Sequence, residues 1–310
     1  MSTRIFAVTG AALALCLQSL LSGCAAPSAA FDRIVDSTQT LSAPRGREVS
    51  MRVLYPAPRC QHCGVIVFSH GAYASPARYD ALLTAWAKGG WVVVAPLHVD
   101  SEDHPDRANY EQSESLRLRL EDYDLAVASY GGKTPTMILP GVETSGDVIA
   151  AGHSYGALIA QIAGGARLDG SFTAASTRAP LPLAVVAISP PGPIPNYVSS
   201  AGWSQIKVPQ LVISGTTDIV PGIAPEWNLH MASYEAAPAG KAYALVFDRM
   251  DHYFNGAYGR LQPIDASTEL AVQKLNAEIL RFAKAMHDRD PAMADQWIAN
   301  SSAGVKAIAR

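Results

Sequence analysis

"VIAAGHSYGALIA", residues 148–160, sets Ser154 between Gly152 and Gly156, with small and apolar residues on either side. The run before it reads as a buried strand and the run after it as an apolar helix, so the serine falls on a strand-to-helix turn. That is the G-x-S-x-G spacing, in which a sharp turn exposes a hydroxyl on strained backbone. The two glycines let strand and helix approach without side-chain clash. An ordinary strand, turn and helix carrying a serine spell the same five letters, so the reading depends on partners elsewhere.

A serine hydroxyl is a weak nucleophile at neutral pH and needs an imidazole to take its proton and a carboxylate to fix the imidazole's tautomer. Asp218 ends the strand-like "QLVISGTTD" (210–218), and His252 follows the strand-like "AYALVF" (242–247). Both fall on loops leaving strand C-termini, where sheets of this type build their sites. Asp248 and Asp251 are alternative acids, but their closeness in sequence to His252 makes rigid support harder. Among the other histidines, His153 lies inside the turn and points away from the hydroxyl, and His230 lies mid-loop with no strand to position it. His70, in "FSHGAYAS" (68–75), reads as a turn histidine bonding the backbone. The same turn offers the backbone N–H of Ala72, which with that of Tyr155 makes an oxyanion hole. Tyr73, Tyr155, Trp203 and Trp227 are candidate pocket walls, with ordinary burial an equal alternative for the two tryptophans. The stretch "LHVDSEDHPDR" (97–107) carries many oxygen and nitrogen ligands. A solvated loop at the mouth of the site accounts for them without an ion, so neither a metal nor an organic cofactor is expected.

Short β-branched runs alternate with helical patterns from about residue 48 onward. "VSMRVLYPA", "GVIVFSH", "WVVVAPLH", "DVIAAGH", "PLAVVAIS", "QLVISGTTD" and "AYALVF" are strands; residues 77–90, 113–130, the run after Ser154 and 267–287 are helices. Continuous apolar strands between helices predict an α/β fold with a mostly parallel central sheet flanked by helices on both faces. "GGKT" (131–134) ends like a phosphate-binding loop, but Val127 stands where that motif needs glycine, and a helix precedes it. With 49% hydrophobic residues, 16% charged and a net charge of −3 over 310 residues, the chain is globular, and nucleic acid is excluded as a partner.

The N-terminus, "MSTRIFAVTGAALALCLQSLLSGC", places Arg4 before an apolar run ending in Leu21-Ser22-Gly23-Cys24. It reads as a secretory signal whose "LSGC" ending is similar to the bacterial lipobox, with Cys24 lipidated. The expectation is a protein of the cell envelope held at a membrane, on the periplasmic side of the outer membrane because Ala25 replaces an inner-membrane aspartate. Cys60 and Cys63 remain for the exported domain, and a structural disulfide clipping a hairpin is expected of them. The expected divisions are residues 1–23 signal, 24–47 lipidated cysteine and tether, 48–288 catalytic domain, and 289–310 a C-terminal helical tail.

"SHG" (69–71), "RLED" (119–122), "AGHSYGA" (151–157), "ISPPG" (188–192), "VPQLVISGTTD" (208–218) and "MDHYFNG" (250–256) together resemble the α/β-hydrolase superfamily. Within it the chain is similar to bacterial serine hydrolases of the dienelactone-hydrolase-like and platelet-activating-factor-acetylhydrolase-like type, over residues 48–285. The resemblance implies Ser154 as nucleophile, Asp218 as acid, His252 as base, and Ala72 with Tyr155 as oxyanion donors. True dienelactone hydrolases carry cysteine where this chain has Ser154, which points to another small-molecule carboxylic ester as substrate. An exported peptidase or amidase, a polyester or lipid hydrolase, and an inactive envelope binding protein are the competing readings.

Overall fold

The structure is a computed structural model that describes residues 31–290 and 305–309. Nine strands form one sheet: β1 (Arg33–Ser42), β2 (Glu48–Ala57), β3 (Cys60–Ser69), β4 (Val92–Pro96), β5 (Val142–His153), β6 (Ala184–Ile188), β7 (Gln210–Gly215), β8 (Ala242–Phe247) and β9 (Val305–Ala309). Their spatial order is β1-β2-β4-β3-β5-β6-β7-β8-β9. The six from β4 to β8 run parallel, and β1, β2 and β9 are antiparallel to their neighbours.

Consecutive apolar residues in a strand face opposite sides, so a run without polar interruption demands cover on both faces. Val65 and Val67 of β3 pack with α2 (Ser115–Tyr130) and α3 (Tyr155–Ala163), whereas Ile66 and Phe68 pack with α1 (Asp80–Lys88) and α6 (Ala266–Asp288). Two short helices, α4 (Ser200–Trp203) and α5 (Ala232–Ala236), lie in the later crossovers. The start of α6 is fixed by Asp265, whose carboxylate accepts the Thr268 N–H at 2.7 Å, an N-cap for the donors left over in the first turn. No described helix is long and apolar enough to cross a membrane. The segment expected to be a signal sequence, with Cys24, lies outside the described residues.

Three expectations of organisation are corrected. Residues 33–42 are strand β1, not tether, paired along ten residues with β2. An edge strand needs few apolar residues, here Val35 and Leu41 on one face and Ile34 on the other, so no continuous apolar run marks it. Residues 305–309 are strand β9, not helix; "VKAIA" closes the otherwise open edge of β8. Cys60 and Cys63 are joined by a disulfide, but not across a hairpin, because β4 lies between β2 and β3. The bridge spans an irregularity in β3 where His62 takes φ 55° and the register against β5 shifts.

Candidate active site

β5 ends at His153, and Ser154 turns the chain into α3 with φ 55° and ψ −120°, a conformation that non-glycine residues hold only under constraint. The constraint is close backbone approach. A Cβ on Gly152 would lie 2.2 Å from the carbonyl oxygen of Gly156, and one on Gly156 would lie 1.9 Å from that of Ser69. Both glycines are therefore required, and Ser154 is left partly exposed at the C-terminal edge of the sheet.

Loops after β7 and β8 bring the partners. His252 Nε2 lies 3.0 Å from Ser154 Oγ, and His252 Nδ1 lies 2.7 Å from Asp218 Oδ1. The other carboxylate oxygen of Asp218 accepts the Ser214 hydroxyl at 2.9 Å. Burial pushes the Asp218 carboxyl up, but the protons and positive charge offered by His230 and His252 reverse this and hold it well below the ordinary range. Asp248 and Asp251 serve elsewhere: Asp248 accepts from the Thr216 hydroxyl, and Asp251 accepts the Tyr253 and Asn255 N–H groups in a turn.

The turn after β3 lies against Ser154, with a Cβ built on Gly71 3.6 Å from Ser154 Cβ. Among the described residues, the backbone N–H groups of Ala72 and Tyr155 have no hydrogen-bond partner, as an oxyanion hole requires. His70 is a turn histidine: its Nδ1 meets the Gly71 carbonyl at 2.8 Å and its Nε2 accepts the His98 N–H at 3.0 Å. His153 faces away from the hydroxyl. Its Nε2 donates to the His252 carbonyl at 2.8 Å, and its Nδ1 accepts from Tyr79 Oη at 2.9 Å, which in turn accepts the Gly71 N–H at 3.0 Å. One neutral imidazole thus ties the His252 loop to the turn after β3. Burial and the neighbouring His252 lower its pKa to about 3.

Behind the turn lies a buried polar layer that the sequence reading did not assign. Arg119, on α2, grips both oxygens of Asp100 at 2.8 and 2.9 Å and donates to the carbonyls of His70 at 2.6 Å and Gly71 at 3.1 Å. Asp122, one turn further on, meets His98 Nδ1 at 2.8 Å, and His98 Nε2 lies 3.2 Å from Ser69 Oγ. Ser69, His98 and Asp122 repeat the Ser-His-Asp order, but all three are buried, so no substrate reaches them. The 97–107 loop is therefore only partly solvated: His98 and Asp100 belong to this layer, while Glu102, Asp103 and Asp106 face solvent.

Of the candidate pocket walls, Tyr73 stands exposed beside Ala72, with the Arg107 guanidinium 5.2 Å from its ring centre. Trp203 is a correction: it is wholly buried, and its indole N–H donates to Gln161 at 3.0 Å. A large ring whose single donor finds a partner inside the core has no reason to face a pocket. Trp227 lines a cavity of about 610 Å³ with Met231, Tyr234, Val246 and Val305, and that cavity does not include Ser154, Asp218 or His252.

Asp218, His230 and His252 offer ligand atoms within 4.8 Å of one another. Ligands around a tetrahedral zinc at about 2.0–2.1 Å stand about 3.3 Å apart. Here Asp218 Oδ1 lies 2.7 Å from His252 Nδ1 and 2.9 Å from His230 Nε2, so the groups bind each other and leave no space for an ion.

A twisted, mainly parallel sheet with a serine on a strained strand-to-helix turn, and a histidine and an acid on later loops, defines a hydrolase-type scaffold. The profile of the alpha/beta hydrolase family matches residues 66–308, and the chain belongs to that family. Among solved structures, a putative dienelactone hydrolase from Klebsiella pneumoniae shares 14% identity at TM-score 0.55, over 79% of this chain and 97% of that one. A dienelactone hydrolase from Anabaena variabilis shares 15% identity at TM-score 0.54, over 79% and 96%. A thermophilic esterase from Thermogutta terrifontis shares 15% identity at TM-score 0.53, over 79% and 91%. No curated protein matches the chain.

Proposed function

We propose that this hydrolase cleaves carboxylic esters through an acyl-enzyme on Ser154. The observation that carries the reading is the unbroken contact from Ser154 Oγ to His252, at 3.0 Å, and from His252 to Asp218, at 2.7 Å. In the first half-reaction His252 Nε2 takes the Ser154 proton as Oγ attacks the ester carbonyl carbon. The carbonyl π-bond opens onto its oxygen, which receives the N–H groups of Ala72 and Tyr155. Collapse re-forms the carbonyl and expels the alcohol, which leaves with the proton held by His252. In the second half-reaction water attacks the acyl carbon, loses a proton to His252, and Ser154 departs with it as the acid is released. Asp218 remains ionised throughout and keeps the His252 proton on Nδ1. The exposure of Tyr73 next to Ala72 supports a role for its ring as a wall on the acyl or alcohol side.

Esterase neighbours favour esters over amides as the substrate class. The test is labelling with a fluorophosphonate, followed by a panel of p-nitrophenyl esters and aminoacyl amides. Labelling that disappears in Ser154→Ala with ester turnover supports the reading. A folded wild-type protein that takes no label refutes it, and turnover of amides alone makes the chain an amidase.

We also propose that the chain is exported and anchored by lipid on Cys24, on the strength of the "LSGC" tetrad. Incorporation of labelled palmitate that is lost in Cys24→Ala tests this; equal labelling of both forms rejects it.

A further inference from the structure

Tyr79 closes the short helical segment Pro76–Tyr79 that leads into α1, and it is wholly buried. Its ring stacks on that of Tyr258, 5.8 Å between centres and 23° between planes, and lies 4.9 Å from that of Phe68. Apolar packing accounts for the ring but not for the hydroxyl, which burial keeps protonated far above the ordinary range of a phenol. The directions of its two hydrogen bonds are fixed by its neighbours. His153 Nε2 faces the His252 carbonyl at 2.8 Å, and a carbonyl only accepts, so Nε2 carries the single proton of that neutral ring and Nδ1 is bare. Tyr79 therefore donates to Nδ1 at 2.9 Å and accepts from the Gly71 N–H at 3.0 Å. One unbroken chain of hydrogen bonds runs from the Gly71 N–H through the Tyr79 hydroxyl and the His153 ring to the carbonyl of His252.

We propose that Tyr79 is a positioning residue whose hydroxyl braces the turn carrying the Ala72 N–H against the loop carrying His252. The proposal rests on the roles given above to Ser154, His252 and the Ala72 N–H. Gly71 has no side chain to limit its backbone angles, so the peptide that carries the Ala72 N–H swings unless its surroundings hold it. Arg119 holds the Gly71 carbonyl and Tyr79 holds the Gly71 N–H, which fixes the glycine on both sides of its Cα. A Cβ built on Gly71 would lie 3.1 Å from both Tyr79 Oη and His153 Nδ1 and 3.6 Å from Ser154 Cβ, so the glycine rests directly on this hydrogen bond and beside the serine. At the far end, the carbonyl that takes the His153 proton belongs to the residue whose Nε2 stands 3.0 Å from Ser154 Oγ. Loss of the hydroxyl is therefore transmitted to the oxyanion turn and to the base together.

The experiment is Tyr79→Phe, which keeps the ring and deletes the hydroxyl, read as kcat and KM for a p-nitrophenyl ester, with nitrogen-15 NMR of the histidine rings in the wild-type protein. Counting kcat per serine labelled by fluorophosphonate leaves a variant that is merely less stable at the wild-type value. The expected result is a fall in kcat of about 10–100-fold with KM held within about threefold. In a cycle with His153→Gln the double variant loses less than the product of the two single losses, because both changes cut one chain. A wild-type kcat, a loss carried by KM, or losses that multiply overturns the proposal. The spectrum is independent of turnover: a proton on Nε2 and none on Nδ1 of His153 supports the brace, and the reverse tautomer or a doubly protonated ring overturns it even if Tyr79→Phe does not fold. A wild-type protein with the expected tautomer that turns over no ester counts against the proposed function and leaves the brace between the two segments standing.

Discussion

Arg119 lies with its guanidinium carbon 4.7 Å from the centre of the Tyr155 ring while donating to the carbonyls of His70 and Gly71. One buried cation therefore touches the backbone just before Ala72 and the side chain of Tyr155, the two residues whose N–H groups are the proposed oxyanion donors. Lysine keeps the charge but lacks the planar fork that spans Asp100 and two carbonyls. Arg119→Lys is expected to lower kcat by about 10–100-fold through displaced donors, with KM changed little. Stopped-flow acylation of the folded variant checks this; a wild-type kcat removes Arg119 from the positioning role.

The elbow glycines make a sharper case. A methyl at Gly156 meets the Ser69 carbonyl, which is backbone of a central strand and has nowhere to go. Gly156→Ala is expected to cost about 3 kcal/mol of stability or more, read as a lower urea midpoint and reduced yield. A variant as stable as wild type would mean that α3 shifts freely against β3, contrary to the close approach described.

Much of this was legible in the letters, and the reason differs by element. The buried stretches of β3 to β8 are legible because burial on both faces excludes polar residues there, and Ser154, Asp218 and His252 each follow such a stretch, whereas the polar starts of β3 and β5 are not. β1 and β9 were hidden, because edge strands obey a weaker rule and are defined by the neighbour they complete. His230 has no strand beside it in sequence to position it; its anchor is a contact with Pro190 far away in sequence, which no local pattern reveals. Arg119 and Asp122 did leave a signal. They fall in "RLED" on the stripe of α2 that also buries Leu116, Leu120 and Tyr123, and charges on an apolar stripe must be paired inside.

The buried histidines make stability depend on pH. Burial, reinforced by Arg119 for His70 and His98 and by His252 for His153, lowers all three below the ordinary value of 6.5. The unfolded chain binds these protons near pH 6.5 and the folded chain does not, so their contribution is present above that pH and is lost as pH falls. Asp122 works in the opposite sense: burial raises it to about 6, and between the ordinary carboxylate value and 6 the folded state holds a proton that the unfolded state lacks. At about 1.4 kcal/mol per pH unit per proton, three histidines against one carboxyl leave a net loss of about 4 kcal/mol between pH 7 and 5. Urea titrations across that range measure it; a flat profile would show that the histidines titrate alike in both states.

Trp203 separates core from pocket. Its ring is enclosed and its N–H satisfies Gln161 Oε1, and the Gln161 side-chain amide in turn donates to Gln210, 3.4 Å away. Trp203→Phe keeps most of the apolar contact and removes the donor, leaving a buried amide oxygen without its partner. That omission costs about 1–3 kcal/mol. Since the ring does not reach the space in front of Ser154, kcat/KM for every ester in the panel is expected to stay at the wild-type value while the urea midpoint falls. A change in the ranking of acyl groups, with stability untouched, would put Trp203 back into the pocket.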